Sequence, residues 1–121
     1  MTFSWNDFVE LGDWLANARA DEAAQRTAIS RAYYAAYHAA SAFVRTERLC
    51  PPDQNLTHWL VWRLIRTSQH PRGEKIAEIG FELRDLRVAA DYWLQFPGDP
   101  YTKARDAISS STVIVTMLSD S

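Results

Sequence analysis

The chain of 121 residues and 13.8 kDa has the length of one ordinary domain, and 47% apolar with 23% charged residues is typical of a globular protein. Cys50 is the only cysteine, which excludes an internal disulfide, and no apolar run approaches the roughly 20 residues of a spanning helix, so we expect a cytoplasmic protein with no membrane role. The net charge of −2 excludes a general attraction for nucleic acid, so any anion site must be local.

The spacing of apolar residues at three and four positions predicts helices and no convincing strand. Ser4 and Asp7 form a weak capping signal for a first helix, whose predicted apolar stripe consists of Phe8, Leu11, Leu15 and Ala18. A second helix is predicted from about Asp21 to Arg48, because this stretch is rich in Ala and contains neither Gly nor Pro. Its length makes it the expected spine of the fold.

Prolines and glycines separate the remaining helices. A surface loop over residues 49–55 contains two consecutive prolines, and helices are then predicted at about 56–68 and from near Glu74 to before Phe96. Asp99 followed by Pro100 is a helix start signal, so a last helix is expected from Tyr101 to about Leu118. Helical spacing assigns most of the five tryptophans to the core. We therefore expect one all-α domain over residues 1–121, an up-and-down bundle of four to five helices.

The middle of the second helix carries an unusual polar stripe. Arg31, Tyr34 and His38 stand at i, i+3 and i+7, so they share one face, while Tyr33 and Tyr37 share a neighbouring face. A cation, a phenol and an imidazole are thereby aligned, with the Arg31 and His38 backbones about 10 Å apart. The alternative is an ordinary packed helix interface in which water or neighbouring groups satisfy the hydroxyls.

The same segment resembles the signature of a known superfamily. Arg31-Ala-Tyr-Tyr-Ala-Ala-Tyr-His38 is similar to the HEPN motif, an Arg and a His separated by four to six residues on one helix. Residues 83–92, Leu-Arg-Asp-Leu-Arg-Val-Ala-Ala-Asp-Tyr, are similar to a segment on a later helix of many small HEPN proteins. The resemblance covers roughly residues 27–92, and it implies a helical bundle that dimerises through the motif helix.

The resemblance also implies a function. Many HEPN proteins are metal-independent endoribonucleases that need no cofactor, commonly the toxin of a toxin–antitoxin pair or another part of prokaryotic defence. The resemblance implies that His38 acts as general base or acid and that Arg31 stabilises phosphate charge, at a cleft between two copies of the chain. Tyr34 and Tyr37 would bind or support the RNA substrate. The implied antitoxin is a minimal nucleotidyltransferase.

A second polar stripe is expected on the fourth helix, where Arg84, Arg87 and Asp91 stand at i, i+3 and i+7. One interpretation is local, with Arg87 and Asp91 forming an exposed ion pair. The other interpretation is that Asp91 faces the second helix and orients Arg31 or His38.

His58 and His70 raise the question of a metal site. Neither has a carboxylate or a cysteine at ligand spacing, so no metal site is predicted. The resemblance leaves a minor substrate role open for His58, because related small HEPN proteins often have a His early in the corresponding helix.

Two other functions are compatible with the sequence. In many active HEPN proteins a polar residue follows the motif Arg, whereas this chain has Ala32, so a catalytically inactive dimer that binds RNA or a nucleotide is one alternative. The other alternative is a helical partner that docks another protein through exposed aromatic residues. Both the nuclease and the inactive dimer, here called the binding module, would bind RNA, so only an RNA-cleavage assay distinguishes them.

Overall fold

Five helices form the fold, which confirms the predicted all-α bundle. The structure is a computed structural model that describes residues 2–119, so Met1, Asp120 and Ser121 of the predicted domain lie outside the described residues. The helices are α1 (Asn6–Ala18), α2 (Glu22–Thr46), α3 (His58–Arg66), α4 (Gly73–Tyr92) and α5 (Pro100–Ser119). No residue between 2 and 119 forms a strand.

The second helix is the centre of the bundle, as its length predicts, and it packs against each of the other four helices. Six of its eleven buried residues are alanines, and five of these have no exposed surface, namely Ala28, Ala32, Ala35, Ala36 and Ala40. These small side chains let neighbouring backbones approach closely. At the contact with α1, a β-carbon added to Gly12 would lie 3.2 Å from the carbonyl oxygen of Ala28.

That close contact explains why the predicted apolar stripe of α1 is wrong by one position. Val9, Gly12 and Ala16 are buried, whereas Leu11 is 47% exposed and Ala18 is exposed. The face with the smallest side chains packs against α2 because it permits the shortest distance between the two helices.

The expectation for the tryptophans is also wrong. Only Trp62 is buried, and the other four indoles are exposed, namely Trp5, Trp14, Trp59 and Trp93. The core accommodates Trp62 because Gly80 of α4 has no side chain opposite it.

Polar side chains of α2 form hydrogen bonds with backbone carbonyls at the C-terminal ends of α1 and α4. Gln25 Nε2 donates to the carbonyls of the last turn of α1, to Ala16 at 3.1 Å and to Arg19 at 2.6 Å. The Arg26 guanidinium donates to several carbonyls at the C-terminus of α4, among them Ala90 at 2.8 Å. These bonds satisfy helix ends that would otherwise lack partners, and they fix α4 antiparallel to α2.

The predicted start of the last helix at Asp99 is confirmed, and α2 begins directly after Asp21, close to its predicted start, whereas α3 begins two residues after the predicted Leu56. The carboxylate of Asp21 accepts from the backbone N–H of Ala24 at the start of α2, and that of Asp99 accepts from the N–H of Thr102 at 3.1 Å in α5. The loop after α2 runs back along that helix, so α3 begins beside Tyr37, whose hydroxyl donates to the Leu56 carbonyl at 3.2 Å.

Replacement of Gly80 by alanine is expected to destabilise the protein. Alanine ordinarily favours a helix over glycine by about 1 kcal/mol, but here its β-carbon would lie 2.3 Å from the buried Trp62 ring. We expect Gly80→Ala to lower the free energy of unfolding by about 1–3 kcal/mol in urea denaturation. Lys75→Ala, at an exposed position of α4, should change it by less than about 0.5 kcal/mol. A Gly80→Ala protein as stable as wild type would contradict this account of the core.

Candidate functional site

The polar stripe of α2 lies on the part of that helix that the bundle leaves partly uncovered. Arg31, Tyr34 and His38 are each half-buried, and the Tyr34 ring lies between the other two side chains. The Arg31 guanidinium lies 5.2 Å from the centre of the Tyr34 ring, and the His38 ring centre lies 6.2 Å from it. The structure therefore places the predicted cation, phenol and imidazole beside one another.

Helix α4 adds a second guanidinium to this cluster. The Arg87 guanidinium lies 5.3 Å from the ring centres of both Tyr33 and Tyr34, so two cations contact the Tyr34 ring. Arg87 is buried, and its Nε has no hydrogen-bond partner among the described residues. The Nε of Arg84 is likewise buried without a partner, although its Nη1 pairs with Asp85 at 3.3 Å.

Asp91 faces α2, as one of the two interpretations of the second stripe predicts. Its carboxylate accepts from the Ser30 hydroxyl at 3.2 Å and pairs with Arg87 at 3.6 Å. The Arg31 guanidinium donates to the same Ser30 hydroxyl at 3.4 Å. Asp91 thus reaches Arg31 through Ser30, and no hydrogen bond between residues 2 and 119 joins it to His38. The Arg87–Asp91 pair exists, but the Arg87 side chain is only 8% exposed, so it is not a surface pair.

An aromatic residue outside the predicted site covers one face of His38. The Trp5 ring stacks on the His38 ring with centres 3.7 Å apart and an angle of 13°. Burial, and then the positive charge of Arg31, lowers the pKa of His38. His38 is therefore neutral at neutral pH, the form in which an imidazole nitrogen accepts a proton. Trp5 precedes α1 and has no periodic relation to α2, so no sequence pattern predicts this contact.

His58, the first residue of α3, extends the site on the side of Tyr33. Its Nδ1 lies 2.7 Å from the hydroxyl of the buried Tyr33, which also accepts from Trp62 Nε1 at 3.2 Å. The Tyr37 ring stacks on His58 with centres 4.1 Å apart. Since the Tyr37 hydroxyl bonds to a backbone carbonyl, Tyr37 supports His58 rather than presenting a free hydroxyl.

Positive charge dominates the cluster. The cluster contains three guanidinium groups and two carboxylates: Arg84 pairs with Asp85 and Arg87 with Asp91, while Arg31 donates to the Ser30 hydroxyl. Burial lowers the pKa of His58, and the charges of Arg87 and Arg84 lower it further, so the second imidazole is neutral as well. The arrangement can bind an anion beside two uncharged imidazoles.

A metal centre has no support among residues 2–119, where no group of three or more His, Cys, Asp and Glu side chains is placed to hold an ion. None of the five helices combines the length and the apolar character needed to cross a membrane, as far as the described residues go. Comparison with family models, with curated proteins and with solved structures finds no match for the chain.

Removal of the Arg31 charge is expected to raise the pKa of His38. In Arg31→Gln the imidazolium of His38 no longer faces a nearby cation, so protonation becomes easier. An NMR titration of the His38 ring signals should show the change. Arg105→Gln, which alters a cation on α5 beside Tyr101, should leave the His38 titration as in wild type. An unchanged His38 pKa in Arg31→Gln would show that the two groups do not interact.

Proposed function

We propose that the chain is a metal-independent endoribonuclease that cleaves RNA through the attack of its own 2′-hydroxyl. The observation that carries the proposal is the clustering of a neutral imidazole, His38, with the guanidinium groups of Arg31 and Arg87 around the Tyr34 ring. The HEPN resemblance of residues 31–38 points to the same chemistry.

The proposed reaction needs a proton acceptor and positive charge. His38 takes the proton of the 2′-hydroxyl, the 2′-oxygen forms a bond to phosphorus, and the bond from phosphorus to the 5′-oxygen breaks. The imidazolium that His38 becomes in this step can then act as the general acid that returns the proton to the departing 5′-oxygen. The products are a 2′,3′-cyclic phosphate and a 5′-hydroxyl. DNA lacks the attacking hydroxyl and is not cleaved by this route.

The surrounding residues are proposed to hold the phosphate. Arg31 binds its oxygens and stabilises the charge that develops during attack, because a guanidinium stays charged and can grip two oxygens. Arg84 and Arg87 each keep a buried Nε–H without a partner, so both add to the positive field. Tyr34 positions the substrate between the guanidinium groups. Asp91, through Ser30 and Arg87, orients the cations and is a positioning residue.

A role in defence is proposed on the resemblance alone. It comprises a cytoplasmic toxin, a homodimer formed through α2 and control by a minimal nucleotidyltransferase antitoxin. The stripe of α2 that the bundle leaves partly uncovered is the surface on which a second copy would bring its own Arg31 and His38 into the same cleft.

A second candidate function is an inactive HEPN dimer that binds RNA or a nucleotide through the same cluster. Two observations favour it. Ala32 is fully buried, so the position after the motif Arg contributes no polar group, and Trp5 covers one face of His38. The two functions share their binding residues and differ only in the chemical step.

Cleavage assays on the purified protein test the proposal. In the presence of EDTA, wild type should cut a mixed RNA but not a DNA of matching sequence, and the products should carry 2′,3′-cyclic phosphate. His38→Ala should reduce the rate by about 100-fold or more, because general base catalysis contributes on this order. His70→Asn, which keeps the acceptor that bonds to the Arg72 N–H, should retain activity. No cleavage by the folded wild type would instead support the binding module.

A further inference from the structure

A chain of three hydrogen-bonding groups leads from the core to the candidate site. Trp62 Nε1 lies 3.2 Å from the Tyr33 hydroxyl, which lies 2.7 Å from His58 Nδ1. Trp62 and Tyr33 are fully buried, whereas His58 is partly exposed. The hydrogen bonds of the two buried groups therefore determine which ring nitrogen of the partly exposed His58 carries the proton.

The direction of these bonds follows from the chemistry of the groups. An indole N–H can only donate, so the Tyr33 oxygen accepts from Trp62. Burial raises the pKa of Tyr33 to about 12, so the hydroxyl keeps its proton at neutral pH and needs an acceptor. His58 Nδ1 is the acceptor within reach. Neutral His58 must then carry its own proton on Nε2.

The same contacts oppose protonation of His58. A proton on Nδ1 would point at the Tyr33 hydroxyl and leave the buried phenol proton without an acceptor. It would also place a further cation near Arg84 and Arg87, which already lower the pKa of His58. Among residues 2–119, Nε2 of His58 has no hydrogen-bond partner. The site thus contains an uncharged donor that is oriented and unoccupied by protein groups.

We propose that His58 is a further substrate-binding residue, whose Nε2–H donates to a phosphate oxygen of the RNA, and that Tyr33 is the positioning residue that fixes its tautomer. The inference rests on the proposed function in that the ligand is RNA, but it requires binding and not cleavage. The phosphate would lie beside the guanidinium groups of Arg84 and Arg87.

Two substitutions of His58 separate substrate binding from a structural role. In His58→Asn, the amide oxygen can still accept from Tyr33, but no donor reaches the position of Nε2. In His58→Gln, the amide nitrogen can reach that position, but the acceptor beside Tyr33 is displaced. A residue needed only to satisfy Tyr33 would tolerate Asn better than Gln, whereas a substrate-binding residue would tolerate Gln better than Asn.

Binding of an uncleavable RNA is the first measurement. A short fluorescent 2′-O-methyl RNA, titrated at low salt, should bind His58→Asn about tenfold more weakly than wild type, the effect of losing one hydrogen bond to a charged group. His58→Gln should stay within about threefold of wild type. Thermal unfolding of each variant verifies that it is folded. Equal affinity of His58→Asn and wild type, or a weaker His58→Gln than His58→Asn, would overturn the proposal.

The tautomer is the second measurement and does not depend on RNA. Long-range proton–nitrogen NMR spectra of the wild type should show a protonated Nε2 and an unprotonated Nδ1 on His58. In Tyr33→Phe this preference should weaken, because the hydrogen bond to Nδ1 is lost. A proton on Nδ1 in the wild-type protein would contradict the proposed role of Tyr33 in fixing the tautomer of His58.

The outcomes distinguish this inference from the proposed nuclease. If RNA binding depends on His58 but the protein cuts no RNA, the inference is supported and the proposed nuclease function is excluded. RNA cleavage together with unchanged binding by His58→Asn would support the nuclease and overturn the inference. Failure of the wild type to bind the 2′-O-methyl RNA at low salt would overturn the inference in either case.

Discussion

The burial of the Arg87 guanidinium between α2 and α4 is the interaction on which the rest of the site depends. A charge removed from water needs an opposite charge and hydrogen bonds nearby. Asp91 supplies the charge at 3.6 Å, and the Tyr33 and Tyr34 rings contact the cation. The Nε–H nevertheless lacks a partner among the described residues, so the compensation is incomplete. The phosphate of the proposed RNA substrate would add a second negative charge beside this guanidinium.

The architecture of the bundle brings this charge to the polar stripe of α2. Alanines on the inward side of α2 permit short distances to its neighbours, and Arg26 holds the C-terminus of α4. Arg87 therefore lies opposite Tyr33 and Tyr34. Burial and the surrounding cations keep both His38 and His58 uncharged, so the site combines fixed positive charge with neutral imidazoles. That combination suits a reaction on a phosphate ester that begins with the removal of a proton.

Local signals in the sequence predict most of the fold and part of the site. The helix starts near Asp21 and at Asp99 depend on residues close in the chain, as does the alignment of Arg31 with His38. Composition, capping signals and periodicity therefore suffice to predict these features. The register of α1 depends on how closely Gly12 can approach Ala28, which composition does not encode. The contacts of Trp5 with His38 and of Tyr33 with His58 join residues more than 20 positions apart. Such tertiary contacts determine tautomer and charge, and they require the folded structure.

The most direct test of the central claim uses a DNA oligonucleotide with one internal ribonucleotide. Incubated with the wild-type protein in EDTA, it offers a single 2′-hydroxyl for the proposed reaction. The account predicts one cut, directly 3′ to the ribonucleotide, with a 2′,3′-cyclic phosphate on the upstream product and a 5′-hydroxyl on the other. Cleavage elsewhere in the strand, or a product that ends in a 3′-hydroxyl, would contradict attack by the 2′-oxygen and with it the assignment of His38 and Arg31.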